Sequence, residues 1–119
     1  RFTVVNNLDG YDEISLTDDL SHDQPLRNHL PPFGTGLFHR PAGRTVRSST
    51  PEEAARIFGN VLQNKATRAQ TDCVLINASF AIQAMKPASS IEACVAEARE
   101  SLESGKAFHT FRRFLELNR

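Results

Sequence analysis

From Thr50 onward the sequence has the apolar periodicity of α-helices, and before Thr50 that periodicity is missing. Thr50 is suited to cap a helix, Pro51 suits the first helical position, and Glu53 stands three residues after the cap. An apolar stripe follows at helical spacing, formed by Ala54, Ile57, Phe58, Val61 and Leu62. These signals predict that the first helix begins directly after Thr50.

A second helix is predicted from roughly Arg68 to Met85, and Pro87 should end it. Its residues 73–84 are apolar almost all round, so this helix is predicted to be the central buried one. Asn77 lies within that run, where a satisfied core amide is a better interpretation than a ligand-binding residue.

Two further helices complete the predicted helical half. Ser89 and Glu92 have the spacing of a capping box for the third helix, and Ser104–Gly105 should stop or kink it before the fourth. The third helix has the stripe Ile91, Cys94, Val95, Ala98 and Leu102, and the fourth has Ala107, Phe108, Phe111, Phe114 and Leu115. Each stripe places its apolar residues on one face of its helix.

The first part of the chain has a different pattern. Residues 2–7 predict a buried strand, and residues 13–17 predict a second, half-buried strand. Residues 20–49 contain four of the six prolines and three of the six glycines, with no period of 2 or 3.6. They predict an irregular stretch that is unusually long for a compact domain.

Composition narrows the class of protein. Apolar residues make up 39% and charged residues 24%, and 14 basic residues balance 14 acidic ones. No excess of positive charge points to nucleic acid, and no apolar run reaches the roughly 20 residues of a membrane helix. Cys73 and Cys94 are predicted to be reduced core thiols of a cytoplasmic protein. The chain opens at Arg1 directly into an apolar run, as expected for a piece of a larger protein.

The best candidate site follows the first predicted strand, where Gly10 permits a tight turn before the adjacent carboxylates Asp12 and Glu13. Ligands of α/β folds gather beyond the carboxyl ends of strands, and magnesium prefers such oxygen ligands. A solvated turn is the other interpretation of two neighbouring acids. The four histidines are scattered without partners at motif spacing, and Gly34–Gly36 lacks the strand and lysine of a phosphate-binding loop.

Four segments, in order, resemble the anthranilate phosphoribosyltransferase family. They are LDGYDEISLT from Leu8, TPEEAARIFGNVLQN from Thr50, VLINASFAI from Val74 and SIEACVAEARESLESGKA from Ser90. The resemblance implies an α/β fragment that is mainly helical, with one or two strands followed by about four helices. This would be the C-terminal part of the catalytic domain shared by nucleoside phosphorylases and phosphoribosyltransferases.

The resemblance also implies a reaction and a metal site. Members of this family transfer phosphoribosyl from phosphoribosyl pyrophosphate to anthranilate in tryptophan biosynthesis, and Asp12 and Glu13 match their Mg²⁺-binding pair. Two departures matter. Asn6–Asn7 replaces a family His-Gly or His-Ser, and the GTGGD loop and Lys-His-Gly-Asn segment are not among these 119 residues. The dimer-forming N-terminal helical domain is not among them either, so the chain alone is expected to be inactive.

The resemblance divides the chain into residues 1–19, with the strand and metal loop, the irregular residues 20–49, and the helical residues 50–119. The middle segment does not match the family. If the codons for Leu20 to Arg47 are read one base later, suitable codon choices give a family-like peptide, FHTTNRSEIIYRPLELGFSIARQEELYG. Two compensating frameshifts are one explanation, and a divergent proline-rich loop is the other.

Two alternative functions stay open at the level of sequence. One is a relative of the pyrimidine-nucleoside phosphorylases, against which the run ARESLESGKA argues. The other is a helical interaction domain formed by residues 50–119. That function would need an exposed apolar face, for which Phe108, Phe111 and Phe114 are the candidates.

Overall fold

The computed structural model describes residues 4–7, 14, 20–23 and 50–119. Strands β1 (Val4–Asn7) and β2 (Leu20–Asp23) pair antiparallel, with Val4 opposite Asp23 and Asn7 opposite Leu20. Helices α1 (Pro51–Leu62), α2 (Arg68–Met85), α3 (Ile91–Glu103) and α4 (Lys106–Leu117) follow. The described part of the chain is thus mainly helical, as the sequence predicted.

Local capping signals determine where α1 and α2 begin. The Thr50 hydroxyl accepts a hydrogen bond from the Glu53 N–H at 3.1 Å, and Pro51 occupies the first turn. Thr67 and Gln70 form a full capping box at the start of α2, each side chain bonding the other's backbone N–H. Satisfying the otherwise unpaired N–H groups of the first turn stabilises each helix start by about 1 kcal/mol.

The third and fourth helices are separated by a sharp stop. Ser90 caps α3, because its hydroxyl accepts from the Ala93 N–H at 3.2 Å. Ser104 ends that helix, and Gly105 then has a φ of 80°, a left-handed conformation that glycine adopts without the strain of a Cβ. The predicted stop at Ser104–Gly105 is confirmed, whereas the predicted cap at Ser89 is wrong by one residue.

Among the described residues, one hydrophobic cluster joins α1, α2 and α3, and Ile14 belongs to it. Its buried members are Ile14, Val61, Leu75, Ile76, Phe80, Val95, Ala98 and Leu102. Half of them belong to the predicted apolar stripes, namely Val61, Val95, Ala98 and Leu102, and three come from the predicted apolar run of α2, namely Leu75, Ile76 and Phe80. Ile14 is the one described residue before Thr50 in this cluster, and it is 1% exposed. Ile14 therefore packs against the helical body.

Three further predictions need correction. Ile14 is not in a strand, although residues 13–17 were predicted to form one, and Leu20–Asp23, at the start of the predicted irregular segment, form β2. Residues 13, 15–17 and 24–49 lie outside the described residues, so the strand prediction is tested at Ile14 alone. Helix α2 is not buried all round, since Val74 is 43% exposed.

The fourth helix covers the core only with its first half. Ala107, Phe108 and Phe111 are half-buried, and the Phe111 ring meets Phe58 of α1 edge-on at a centroid distance of 5.0 Å. Phe114 and Leu115, which belong to the same predicted stripe, are exposed. The stripe is continuous in sequence, but it extends beyond the part of the core that the preceding helices build.

Candidate functional site

The predicted metal pair, Asp12 and Glu13, lies outside the described residues. The nearest described residue is Ile14, which follows Glu13 directly in the sequence. Its side chain is buried in the hydrophobic cluster, and its backbone contacts α2. The described geometry nearest to this candidate site in the sequence is therefore that of Ile14.

Asn77 of α2 binds both backbone groups of Ile14. The Ile14 N–H donates to the Asn77 Oδ1 at 3.0 Å, and the Asn77 Nδ2 donates to the Ile14 carbonyl at 2.9 Å. The side-chain amide thus offers the same donor and acceptor pair that the backbone of a neighbouring strand would offer. Both Ile14 groups are satisfied although the residue is buried.

The Asn77 side chain is itself held in place by α2. Its Nδ2 also donates to the Cys73 carbonyl, one turn earlier in the helix, at 2.9 Å. The Cys73 thiol lies 3.5 Å from the Ile14 carbonyl oxygen, a weak contact for sulfur. Cys73 and Cys94 are free thiols, as predicted. The interpretation of Asn77 as a satisfied amide is confirmed, although the sequence did not identify its partner.

A buried carboxylate on α2 was not predicted. Asp72 is 3% exposed, and its two oxygens face the Arg68 Nε at 3.6 Å and an Arg99 guanidinium nitrogen at 3.9 Å. The Asp72 Oδ2 has no hydrogen-bond partner within the described part of the chain. Arg99 also lies 3.6 Å from Glu103 on its own helix. These charges link α2 to α3, and we interpret Asp72 as structural.

Helices α1 and α2 enclose an apolar groove of roughly 270 Å³. Its lining includes Ile57, Phe58 and Val61 of α1, with Cys73 and Val74 of α2. None of the described residues that line the groove is charged, and its polar groups are the Gln70 amide and the Cys73 thiol.

The remaining candidates supply no second site in residues 50–119. His109 is exposed on α4, and no group of three or more His, Cys, Asp or Glu among the described residues could hold a metal ion. The side chain of His22 is not described, and His29, His39 and Gly34–Gly36 lie outside the described residues. Over the described ranges, no helix is long and apolar enough to cross a membrane.

Strands followed by a capped helical body define part of an α/β domain, and comparison with known proteins specifies which one. The sequence model of the family described as "Glycosyl transferase family, a/b domain" matches residues 1–108. The chain belongs to that glycosyl transferase family.

Individual relatives agree with this assignment. The chain is 60% identical over 118 residues to the anthranilate phosphoribosyltransferase of Phocaeicola vulgatus, a match that covers 98% of this chain and 36% of that enzyme. It therefore spans about a third of the length of the curated relative. The pyrimidine-nucleoside phosphorylase and interaction-domain alternatives are not supported by these relatives.

Solved structures share the fold. The chain superposes on anthranilate phosphoribosyltransferase from Saccharomyces cerevisiae with a TM-score of 0.82 at 24% identity, covering 96% of this chain and 34% of that one. A second structure of the yeast enzyme, in complex with PRPP and Mg, gives a TM-score of 0.80 at the same identity and coverage. At this identity the likeness establishes the fold alone.

Proposed function

We propose that this chain is part of an anthranilate phosphoribosyltransferase, which joins anthranilate to the ribose of phosphoribosyl pyrophosphate and releases pyrophosphate. The observation that carries the proposal is the 60% identity to one such enzyme across 98% of the chain. Six other relatives at 35% identity or more are also anthranilate phosphoribosyltransferases, which supports the same assignment. The pathway would be tryptophan biosynthesis.

Asp12 and Glu13 are the residues that would hold Mg²⁺ in the complete enzyme. Two adjacent carboxylates are a donor set of the hard oxygen type that magnesium prefers, and magnesium commonly bridges such groups to a substrate's phosphates. When bound, the metal offsets the charge that develops on the departing pyrophosphate. The yeast enzyme's structure with PRPP and Mg supports a metal of this kind in the family.

The chain alone should bind Mg²⁺ with pyrophosphate, but it should not catalyse the transfer to anthranilate. Its 119 residues correspond to about a third of the relatives' length, and the glycine-rich phosphate loop of the family is not among them. Phosphoribosyl pyrophosphate and anthranilate would be partners of the complete enzyme, which would be a homodimer as is common in the family. The free thiols Cys73 and Cys94 support a reducing, cytoplasmic location.

The first experiment is a calorimetric titration of the 119-residue chain with Mg²⁺ in the presence of inorganic pyrophosphate. We expect weak, magnesium-dependent binding that is lost in Asp12→Asn and in Glu13→Gln, because each change removes an anionic oxygen ligand. Glu52→Gln is the matched control, since Glu52 is an exposed carboxylate in the first turn of α1.

Two results would contradict the metal site. One is an unmodified chain that binds no pyrophosphate in the presence of magnesium. The other is an Asp12→Asn variant that binds as well as the Glu52→Gln control. Separately, turnover of anthranilate by the pure chain would contradict the expectation that it is inactive alone.

The origin of residues 20–49 requires a different measurement, namely the nucleotide sequence that encodes them and the region upstream. Two compensating frameshifts predict the family-like peptide in the shifted frame, together with upstream codons for GTGGD and Lys-His-Gly-Asn. A divergent surface loop predicts no family-like peptide in any other frame.

A further inference from the structure

The apolar face of α4 continues beyond the helical core. Phe111 is half-buried against Phe58, whereas Phe114 and Leu115 are 58% and 43% exposed. They follow Phe111 by three and four residues, the spacing that places side chains on the same face of a helix one turn further on. The last part of α4, from Phe114 to Leu117, therefore presents apolar side chains to water, and we call it the α4 end.

An apolar groove lies beside the α4 end. Phe58 lines the groove between α1 and α2, and its ring also meets the Phe111 ring at a centroid distance of 5.0 Å. Helix α4 therefore passes the rim of the groove. On the α2 side, Val74 is 43% exposed. Phe114 is not among the lining residues, so the α4 end and the groove are neighbouring apolar surfaces that do not fill each other.

The charges beside these two surfaces are of opposite sign. Residues 106–119 include four basic residues and one acidic residue, and Arg113 directly precedes Phe114. The lining of the groove begins at Ala54, directly after the acidic first turn of α1, in which Glu52 is exposed. Within the described part of the chain, neither Arg113 nor Glu52 belongs to an ion pair. A basic helix end and an acidic groove entrance attract each other when they belong to two molecules.

We propose that this surface is a contact between two copies of the chain, in which the α4 end of each copy lies in the α1–α2 groove of the other. Because the helix end and the groove are side by side, a two-fold axis forms both contacts at once, which is the arrangement of most soluble homodimers. The contact is separate from the dimer-forming N-terminal helical domain that the family resemblance implies. It does not depend on the enzymatic assignment.

The apolar and charged parts of this contact contribute differently. None of the described residues that line the groove is charged, so Phe114 enters it without leaving a charge buried and unpaired. Burial of Phe114 drives association but does not fix its direction. The attraction between Arg113 of one copy and Glu52 of the other fixes the direction. A molecule does not make this contact with itself, since the contact between Phe111 and Phe58 holds its own α4 at the rim.

The test is sedimentation equilibrium of the 119-residue chain from about 1 μM to about 1 mM, the range in which weak specific contacts form. We expect a reversible equilibrium between monomer and dimer that weakens as salt is added, because exposed charges are screened. Phe114→Asp and Val74→Asp should each weaken the dimer by about 30-fold or more, the loss typical of an apolar anchor at the centre of an interface. Both replaced side chains are exposed, and circular dichroism checks that each variant is folded.

Met85→Asp is the matched control. Met85 belongs to α2, as Val74 does, and it is 84% exposed, but it does not line the groove. The control adds the same charge to the same helix, so it should dimerise as the unmodified chain does.

A charge exchange tests the direction of the contact. Arg113→Glu and Glu52→Arg should each weaken the dimer by about 5-fold, because each places like charges opposite one another. The double variant, Arg113→Glu with Glu52→Arg, restores opposite charges across both contacts and should recover the dimer. A dimer in which the two α4 ends meet each other predicts no recovery.

Three results would overturn the proposal. The first is a chain that stays monomeric at about 1 mM, the weak end of specific association. The second is a dimer that Phe114→Asp and Val74→Asp weaken no more than Met85→Asp does, because such a dimer uses another surface. The third is a double charge variant that associates no better than its parents, which would exclude the α4 end from the groove of the second copy.

Discussion

Replacing Ile14 by alanine should destabilise the chain as much as a deletion in the middle of the helical core. Ile14 is 1% exposed and packs in the hydrophobic cluster, although it lies 36 positions before Thr50 in the sequence. The substitution removes three carbon atoms, each contributing about 0.8 kcal/mol when buried, which gives a transfer cost of roughly 2.4 kcal/mol. A cavity that does not collapse would raise the loss to about 5 kcal/mol.

The assay is urea unfolding of the 119-residue chain, followed by far-ultraviolet circular dichroism. Leu75→Ala provides the reference for full burial, since Leu75 is also 1% exposed. Met85→Ala, at the end of the same helix and 84% exposed, should change the free energy of unfolding by less than about 0.5 kcal/mol.

The comparison can refute the reasoning cleanly. Leu75→Ala should lower the free energy of unfolding by roughly 2 kcal/mol or more, the lower limit for such a deletion. If it does so while Ile14→Ala changes this free energy as little as Met85→Ala, then Ile14 is not part of the cooperative core. The packing of Ile14 against the helices would then not contribute to stability as its burial implies.

Four further substitutions test the local structure through the same unfolding measurement. Gly59→Ala should raise the free energy of unfolding by about 0.5–1 kcal/mol, because a Cβ there meets only the Gln63 side chain at 3.9 Å. Gly105→Ala should lower the free energy of unfolding by about 1 kcal/mol, because the φ of Gly105 is 80°. The same sign for both would contradict this account. Thr50→Ala should lower it by about 1 kcal/mol through loss of the cap, and an unchanged urea midpoint would exclude that role. Arg99→Met should lower it by about 1 kcal/mol, less at high salt, because the buried Asp72 carboxylate loses a compensating charge; a gain in stability would show that this charge pair is unfavourable.

The resemblance to the anthranilate phosphoribosyltransferase family was carried by four ordered motifs, and the comparisons support it over nearly the whole chain. The Asp12–Glu13 pair stays a prediction. Its assignment depends on the match to a family motif, and the described residues reach only to its neighbour, Ile14.

The sequence by itself determined the helices. Caps and stops act over three or four residues, so Thr50, Pro51 and Gly105 define where α1 begins and where α3 gives way to α4. The predicted bounds of α2, Arg68 to Met85, are also those of the structure. The cap of α3 was misplaced because two consecutive serines, Ser89 and Ser90, offer the same signal.

Only the tertiary structure decided which polar groups are buried and what they bind. Asn77 and Ile14 are 63 residues apart, and no local pattern relates a side-chain amide in a helix to the backbone of a distant segment. Asp72 is buried because α3 brings Arg99 across from α2, whereas a lone aspartate near the start of a helix ordinarily faces water. Such contacts depend on how the elements pack, and local propensity carries no information about that packing.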